Sequence, residues 1–158
     1  MGATLRDEIH QTPPFQSLEE EAALNLYRTT HLLAEAGEFF YRQHGLTPTQ
    51  YNVLRILRGA GDTGLGRNDI RERLLGRMPD VTRLLDKMEE AGLVRRERSA
   101  ADRRSVPTVL TARGRDLVNA LDEPVAALQQ RQFGHLTRGQ LHTLIETLTQ
   151  VRAQLAQK

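Results

Sequence analysis

The sequence predicts a mainly α-helical protein with one small β-hairpin. Three observations support this fold class. Apolar residues recur at helical spacing over most of the chain, and Ser or Thr residues suited to cap helices precede several of those stretches. A single region, about residues 93–110, instead favours two short strands around a charged tip. The 158 residues suit one domain that buries its own core.

The chain begins with a predicted arm, residues 1–16, which contains the turn-forming "TPP". Ser17 followed by Glu20 is a capping-box pattern, and it predicts a helix that runs to about His44. Apolar or small residues recur there at spacings of four and three: Leu26, Thr30, Leu33, Gly37 and Phe40. This helix is longer than so small a domain needs for its own core.

The segment "GLTPTQYNVLRIL" predicts the next helix, with Thr47 as its cap, Pro48 at its first position and Gln50 completing a T-x-x-Q box. The glycine cluster "GAGDTGLG" then ends it. This cluster lacks the Lys-Ser/Thr pair of a phosphate-binding loop and follows no strand, so an ordinary loop is predicted. A short helix over residues 67–75 follows, with Ile70 and Leu74 facing inward.

Residues 79–91, "PDVTRLLDKMEEA", predict a strongly amphipathic helix. Pro79 and Asp80 suit its first turn, and Gly92 suits a left-handed stop. The apolar stripe at positions i, i+3, i+4 and i+7 consists of Val81, Leu84, Leu85 and Met88. The other face carries polar side chains: Asp80, Arg83, Asp86, Lys87 and Glu90, with Thr82 to the side.

Two strands are predicted next, over residues 93–98 and 105–110. Pro107 lacks a ladder N–H, which predicts that the second strand lies at a sheet edge. Thr111 then caps a helix that reaches about Phe133 with a kink at Pro124. Thr137 and Gln140 start the last helix. One side of it is apolar: Leu141, Leu144, Ile145, Leu148, Val151 and Leu155.

Charge is unevenly distributed although the chain's net charge is only +2. Residues 71–104 hold ten basic and seven acidic side chains, a net charge of +3. Residues 1–40 hold two basic and seven acidic side chains, a net charge of −5. This separation predicts a polyanionic partner for the middle of the chain only.

Composition argues against several classes of protein. The chain has no cysteine, which excludes disulfides and thiolate chemistry, and its five histidines are scattered, so no metal site and no cofactor are predicted. No nucleophile–base pair stands at working spacing, so we expect no enzyme. No apolar run approaches the roughly 20 residues of a membrane span, and no signal-peptide stretch opens the sequence, so a cytoplasmic protein is expected.

Three short helices followed by a β-hairpin are the element order of a winged helix-turn-helix. In that arrangement the third helix enters the DNA major groove, and here it is residues 79–91. Thr82, Arg83 and Lys87 are residue types that donate to phosphates and base edges. At the hairpin tip, Arg103 and Arg104 would enter the narrow, negative minor groove.

The sequence resembles the MarR family of bacterial transcription regulators. The similarity lies in "GLTPTQYNVLRIL", "VTRLLDKMEEAGLVRR" and "DRRSVPTVLTARG", with a long helix before and after, and it covers residues 17–158 as a single domain. The block D-R-R followed by L-T-x-x-G is fairly specific. The resemblance implies a DNA-binding lobe over about residues 47–111 and dimerisation helices over about residues 17–44 and 112–157.

The resemblance also implies partners and site residues. It implies a homodimer on double-stranded DNA with a pseudo-palindromic operator, and repression relieved by a small aromatic or phenolic effector. The implied recognition-helix residues are Asp80, Thr82, Arg83 and Lys87. The implied wing residues are Arg103 and Arg104, with Asp102 bracing an arginine. Members usually begin the recognition helix with Ser or Thr where this chain has "RMPD", so their base preference is not transferred.

The effector site is left unassigned by the sequence. Tyr27 and His31 lie one turn apart on the first long helix, but core or interface packing is the simpler interpretation of such a pair. The competing function is a winged-helix module for protein–protein contact without sequence-specific DNA binding. Such modules often lose the basic wing and recognition face that this chain retains.

Overall fold

The computed structural model describes residues 2–96 and 106–157, which form helices around one small sheet. The helices are α1 (Leu5–Glu8), α2 (Leu18–Gln43), α3 (Pro48–Ala60), α4 (Arg67–Arg73), α5 (Val81–Glu90), α6 (Ala112–Ala120), α7 (Asp122–Phe133) and α8 (Arg138–Leu155). The strands are β1 (Val94–Arg96) and β2 (Thr108–Leu110), and a 3₁₀ turn spans Gly61–Thr63. None of the described helices is both long and apolar enough to cross a membrane.

The residues predicted to cap helices stand at the amino ends of those helices in the structure. Ser17, Thr47, Thr111 and Thr137 each accept a hydrogen bond from the backbone N–H three residues on. The reciprocal half of the box forms at Thr47 and Thr137, where Gln50 and Gln140 accept from the cap's own N–H at 2.9 Å. At Ser17 it does not form.

At the start of α2, the Glu20 carboxylate accepts the N–H of Gln16 at 2.6 Å instead of the N–H of Ser17. The predicted arm also contains structure, because Thr4 caps α1 and Leu5 is buried. Helix α5 begins two residues later than predicted. Asp80 is its cap, accepting from the N–H of Arg83 at 2.9 Å, so Pro79 lies before the helix.

The helix predicted after Thr111 is broken rather than kinked. It divides at Leu121 into α6 and α7, and Pro124 is the third residue of α7. Proline has no N–H with which to bond the carbonyl of Ala120, four residues earlier, so the helical ladder is interrupted at this point.

The small sheet is antiparallel, with Val94 opposite Leu110 and Arg96 opposite Thr108. Among the described residues the sheet has two strands, so β2 lies at an edge as predicted, although one of its residues is also bridged on the outer side. Pro107 precedes β2, and Leu65 bridges Thr108 on the side away from β1, with N···O distances of 2.8 and 3.0 Å. Because Pro107 stands outside the ladder, its missing N–H does not prevent this second pairing.

The core is formed where α3, α4, α5 and the sheet meet α6 and the start of α7. Its fully buried side chains include Leu54, Leu57, Ile70, Leu85, Met88, Val118 and Leu121. Gly92 has a φ of +71° and ends α5 in the left-handed conformation that was predicted. By contrast, only Phe40 of the 26 residues of α2 is buried, and α8 has no buried residue.

Candidate nucleic-acid interface

Helix α5 presents one polar face to solvent and buries the other completely. Val81, Leu84, Leu85 and Met88 all pack into the core, as their spacing predicts. Thr82, Arg83 and Lys87 are exposed on the outer side. A helix held by one full stripe has a fixed rotation, so these three polar side chains are presented outward together.

A groove of about 560 Å³ lies in front of the amino end of α5. Pro79, Asp80, Arg83 and Lys87 line it from the α5 side, and Thr49 and Gln50 line it from the first turn of α3. The Asp80 carboxylate is engaged as the helix cap. Asp80 therefore fixes the start of the helix, while Arg83 and Lys87 supply the positive charge.

The structure adds one residue to this surface that the sequence did not indicate. Arg67, the first residue of α4, donates from Nη1 to the Thr82 Oγ1 at 3.0 Å. Both side chains are exposed and line a second groove of about 540 Å³ between α4, α5 and the base of the hairpin. Their separation of 15 residues leaves no periodic signal in the sequence.

The base of the hairpin is fastened to α5 by Arg96. Its guanidinium bonds the Asp86 carboxylate through Nη2, and its Nη1 lies 3.9 Å from Glu89 Oε2. The Arg96 backbone N–H donates to Glu89 Oε1 at 3.0 Å. Although Arg96 counts among the basic residues of this lobe, its charge is balanced by these two carboxylates, so its role is to join strand to helix.

The predicted wing residues Asp102, Arg103 and Arg104 lie outside the described residues. The residues on either side of positions 97–105 are described. Arg96 and Val106 both line the groove that also contains Arg67 and Thr82. The two described ends of the hairpin therefore lie at the same groove as Arg67 and Thr82.

A separate cleft of about 670 Å³ lies between α2, the start of α3 and α7. Its wall includes Leu33, Gly37, Tyr41, Val125 and Leu128, with Glu38 and Arg42 also lining it. Burial raises the pKa of Tyr41 to about 12, further above neutral pH than the usual value for a phenol. The Tyr41 ring stacks on Tyr51 with centroids 4.6 Å apart.

Tyr27 and His31 do not reach this cleft. The Tyr27 side chain is 70% exposed, and His31 lies 3.3 Å from Glu35 on the outside of α2. Both side chains are exposed, so neither packs in the core of the chain.

The chain is similar to known transcription regulators along most of its length. Residues 44–105 match the sequence model of the MarR family. The uncharacterized HTH-type transcriptional regulator YkoM of Bacillus subtilis is 34% identical over 139 residues, which cover 85% of this chain and 88% of that protein. A MarR transcription factor of Planctomyces limnophilus is 40% identical, with a TM-score of 0.66 over 86% of this chain and 98% of its own.

Similar solved structures include a complex with DNA. The transcriptional repressor CouR, bound to a 23-mer DNA duplex, is 28% identical with a TM-score of 0.76 over 90% of this chain and 99% of its own. CouR from Rhodococcus jostii has also been solved bound to p-coumaroyl-CoA, with 25% identity and a TM-score of 0.72 over 87% of this chain and 95% of its own. The winged-helix fold and these similarities indicate the same family: the chain belongs to the MarR family of DNA-binding transcriptional regulators.

Proposed function

We propose that this protein is a homodimeric repressor that binds a pseudo-palindromic operator and releases it when a small aromatic effector binds. The observation that carries the proposal is the outer face of α5, where Thr82, Arg83 and Lys87 are exposed on a helix fixed by its fully buried stripe. Asp80 caps that helix. In the proposal α5 lies in the major groove, and Arg103 and Arg104, braced by Asp102, enter the minor groove.

Two long helices with unburied apolar side chains support the dimer. Phe39 on α2 is 65% exposed, and Ile145 and Leu155 on α8 are about 60% exposed. A second copy related by a two-fold axis would cover the same surfaces on both chains. It would also place two α5 helices on one face of the duplex, with half-sites about 10 base pairs apart centre to centre.

Selection from a random duplex library tests the DNA-binding part. The full chain is expected to enrich a two-fold symmetric sequence. The affinity for it should fall with salt, with a log–log slope of about −0.9 for each phosphate contacted. If no sequence is enriched and the protein does not retard duplex DNA at low salt, the proposal fails and the protein–protein module becomes the better description.

The cleft between α2, α3 and α7 supports the effector part. It adjoins the start of α3 on one side and α7 on the other, so an occupant would contact both the DNA-binding lobe and a dimerisation helix. Apolar walls and the neutral Tyr41 phenol suit an aromatic ring with a polar substituent. Because the relative CouR binds p-coumaroyl-CoA, hydroxylated aromatic compounds are the first to test on this protein.

The position of Gly37 offers a direct test of this cleft. Gly37 lines it, and a Cβ added there meets no atom within 4 Å, so a larger side chain would occupy the cleft without disturbing α2. We expect Gly37→Leu to retain DNA binding but to lose release by whichever hydroxybenzoate or hydroxycinnamate releases the wild-type protein. Gly37→Ala serves as the control. Unchanged release in Gly37→Leu would place the effector elsewhere.

A further inference from the structure

We infer that Arg67 is a specificity-determining positioning residue, which acts on DNA through the hydroxyl of Thr82. By donating to Thr82 Oγ1, Arg67 makes that hydroxyl a directed donor to hydrogen-bond acceptors on base edges. The inference rests on the proposed function, because it places Thr82 at the DNA surface.

The contact joins two successive helices of the DNA-binding lobe. Arg67 is the first residue of α4, Thr82 is the second residue of α5, and Nη1 lies 3.0 Å from Oγ1. Four other arginines in the described part of the chain bond carboxylates: Arg28 with Glu8, Arg58 with Asp122, Arg96 with Asp86 and Arg115 with Asp62. Arg152 also donates to a threonine hydroxyl, that of Thr149, but this pair lies within α8 and Thr149 donates its own proton to Ile145. Within the same described residues Arg67 has no carboxylate partner, and its bond goes to the Thr82 hydroxyl.

The direction of this hydrogen bond is fixed by chemistry. A guanidinium carries only donors, so Thr82 Oγ1 is the acceptor and the hydroxyl proton remains to be donated elsewhere. Threonines within a helix usually donate that proton to the carbonyl four residues earlier. Three threonines of α8 do so at 2.8–3.0 Å: Thr143, Thr147 and Thr149.

Thr82 differs from those three because of its position. It stands in the first turn of α5, so the residue four positions earlier, Met78, lies before the helix and offers no aligned carbonyl. Among the described residues, none accepts the Thr82 hydroxyl proton. Thr82 therefore presents a donor to solvent, and the adjacent guanidinium charge polarises the hydroxyl further toward donation.

A directed donor discriminates between bases. In the major groove guanine offers N7 and O6, adenine offers N7 and thymine offers O4, whereas cytosine presents a donating amino group. Thr82 should favour an acceptor-bearing edge and disfavour cytosine at one operator position. Without Arg67, the hydroxyl can rotate and also accept from an amino group, so the discrimination should weaken.

The test uses the operator that the wild-type full chain selects from the random duplex library. Affinities of four proteins are measured by fluorescence anisotropy at fixed salt on that operator and on its single-base variants: wild type, Arg67→Met, Thr82→Val and the double variant. We expect Arg67→Met and Thr82→Val to lose about 3- to 10-fold of discrimination at the same single base pair, the range of one hydrogen bond. The double variant should lose no more than Thr82→Val alone.

Two further variants complete the design. Arg67→Lys should recover part of the preference, since an ammonium still donates. Arg71→Met is the matched control, because Arg71 is an exposed arginine of the same helix, and its base preference should equal that of the wild type. Equal melting temperatures for Arg67→Met and the wild type would show that the change is not a loss of folding.

Several outcomes would overturn the inference. A loss in Arg67→Met that is uniform over all duplexes, with a salt slope shallower by about 0.9, would make Arg67 a phosphate contact. A loss that persists in the Thr82→Val background, or no loss at all, would separate Arg67 from Thr82. If the wild-type chain selects no sequence, the proposed function itself fails, and the inference fails with it.

Discussion

Arg58 on α3 and Asp122 on α7 form a bidentate ion pair, in which Nη1 and Nη2 each donate to a different carboxylate oxygen at 2.9 Å. The Arg58 Nη1 also donates to Asn119 Oδ1 at 3.0 Å. The pair joins α3, in the proposed DNA-binding lobe, to the first residue of α7. It therefore links that lobe directly to a segment that is proposed to form part of the dimer.

This pair predicts a pH-dependent contribution to stability. The hydrogen bonds from Arg58 hold the pKa of Asp122 below its usual value. A depressed carboxyl pKa contributes stability that is fully present above the unfolded value, about 3.9, and is lost as pH falls through the folded value. Urea unfolding should show the wild type more stable than Asp122→Asn at pH 7, with the difference vanishing in acid.

Glu123→Gln is the control for that experiment. Glu123 shares the first turn of α7 with Asp122, so both carboxylates have the same favourable interaction with the helix dipole. Only Asp122 has the ion pair. An equal, parallel loss in both variants would mean that the dipole, and not Arg58, is responsible.

The dimer predicts a specific response to charge on α8. Replacing Leu144 and Leu148 with glutamate should dissociate or unfold the protein, because both apolar side chains would lie in the pairing surface. Light scattering should give a wild-type mass twice the 17.9 kDa of one chain. His142→Glu with Gln150→Glu places the same charge on other sides of α8 and should leave that mass unchanged. A native mass of one chain at micromolar concentration would refute the dimer.

Arg83 is predicted to make a base contact. If its guanidinium bonds a guanine edge with two donors, Arg83→Ala should weaken operator binding by about 1–3 kcal/mol. Arg131→Ala, which removes an exposed charge from the last turn of α7, should have little effect beyond a small electrostatic one. Titration of both variants against one duplex separates these results, and an unchanged affinity in Arg83→Ala removes this residue from the interface.

The wing prediction concerns Asp102, Arg103 and Arg104, which lie beyond the described residues. Arg103→Ala and Arg104→Ala should weaken binding while thermal stability stays nearly unchanged, and the loss should be larger on operators with A·T-rich flanks. Asp102→Ala should also weaken binding if its carboxylate braces the wing, although it removes a negative charge. Equal or tighter binding by Asp102→Ala, with both arginine variants near wild type, would show a wing tip that does not enter the groove.

Gly114 is the glycine of the L-T-x-x-G block, and close packing against the sheet explains why glycine is needed there. A Cβ at this position would overlap the carbonyl oxygen of Leu93, so α6 can approach the sheet only with glycine there. Gly114→Ala should destabilise the fold by about 1–3 kcal/mol or more, as overpacking against backbone does. Gly139→Ala is the matched control in the first turn of α8, where the nearest atom is 4.0 Å away. It should be neutral or slightly stabilising by thermal melting.

Features that depend on near neighbours were predictable from the sequence. The Thr47–Gln50 box, the buried stripe of α5 and the left-handed Gly92 follow from residues within a turn or two of one another. Contacts between distant residues were not, because nothing in their local context distinguishes them. Arg67 and Thr82 are 15 residues apart, and Arg58 and Asp122 are 64 apart.

The sheet edge illustrates the same limit. Pro107 lacks a ladder N–H and, as this predicts, it takes no part in the strand pairing. The third partner of the sheet, Leu65, comes from the glycine-rich loop after α3, where no strand pattern exists. A single bridge of one residue cannot be recognised by alternation, so the pairing of Leu65 with Thr108 was not predicted.

The burial of Val118 and Leu121 has a consequence for how such proteins can be recombined. Both side chains are fully buried with Leu54 and Leu57, although they belong to the helices after the wing. A fragment that stops at Thr111 lacks Val118 and Leu121, so it would leave Leu54 and Leu57 exposed to water. The DNA-binding lobe therefore cannot be exchanged between relatives by itself. A chimera that transfers operator specificity must also include α6 and the first turns of α7.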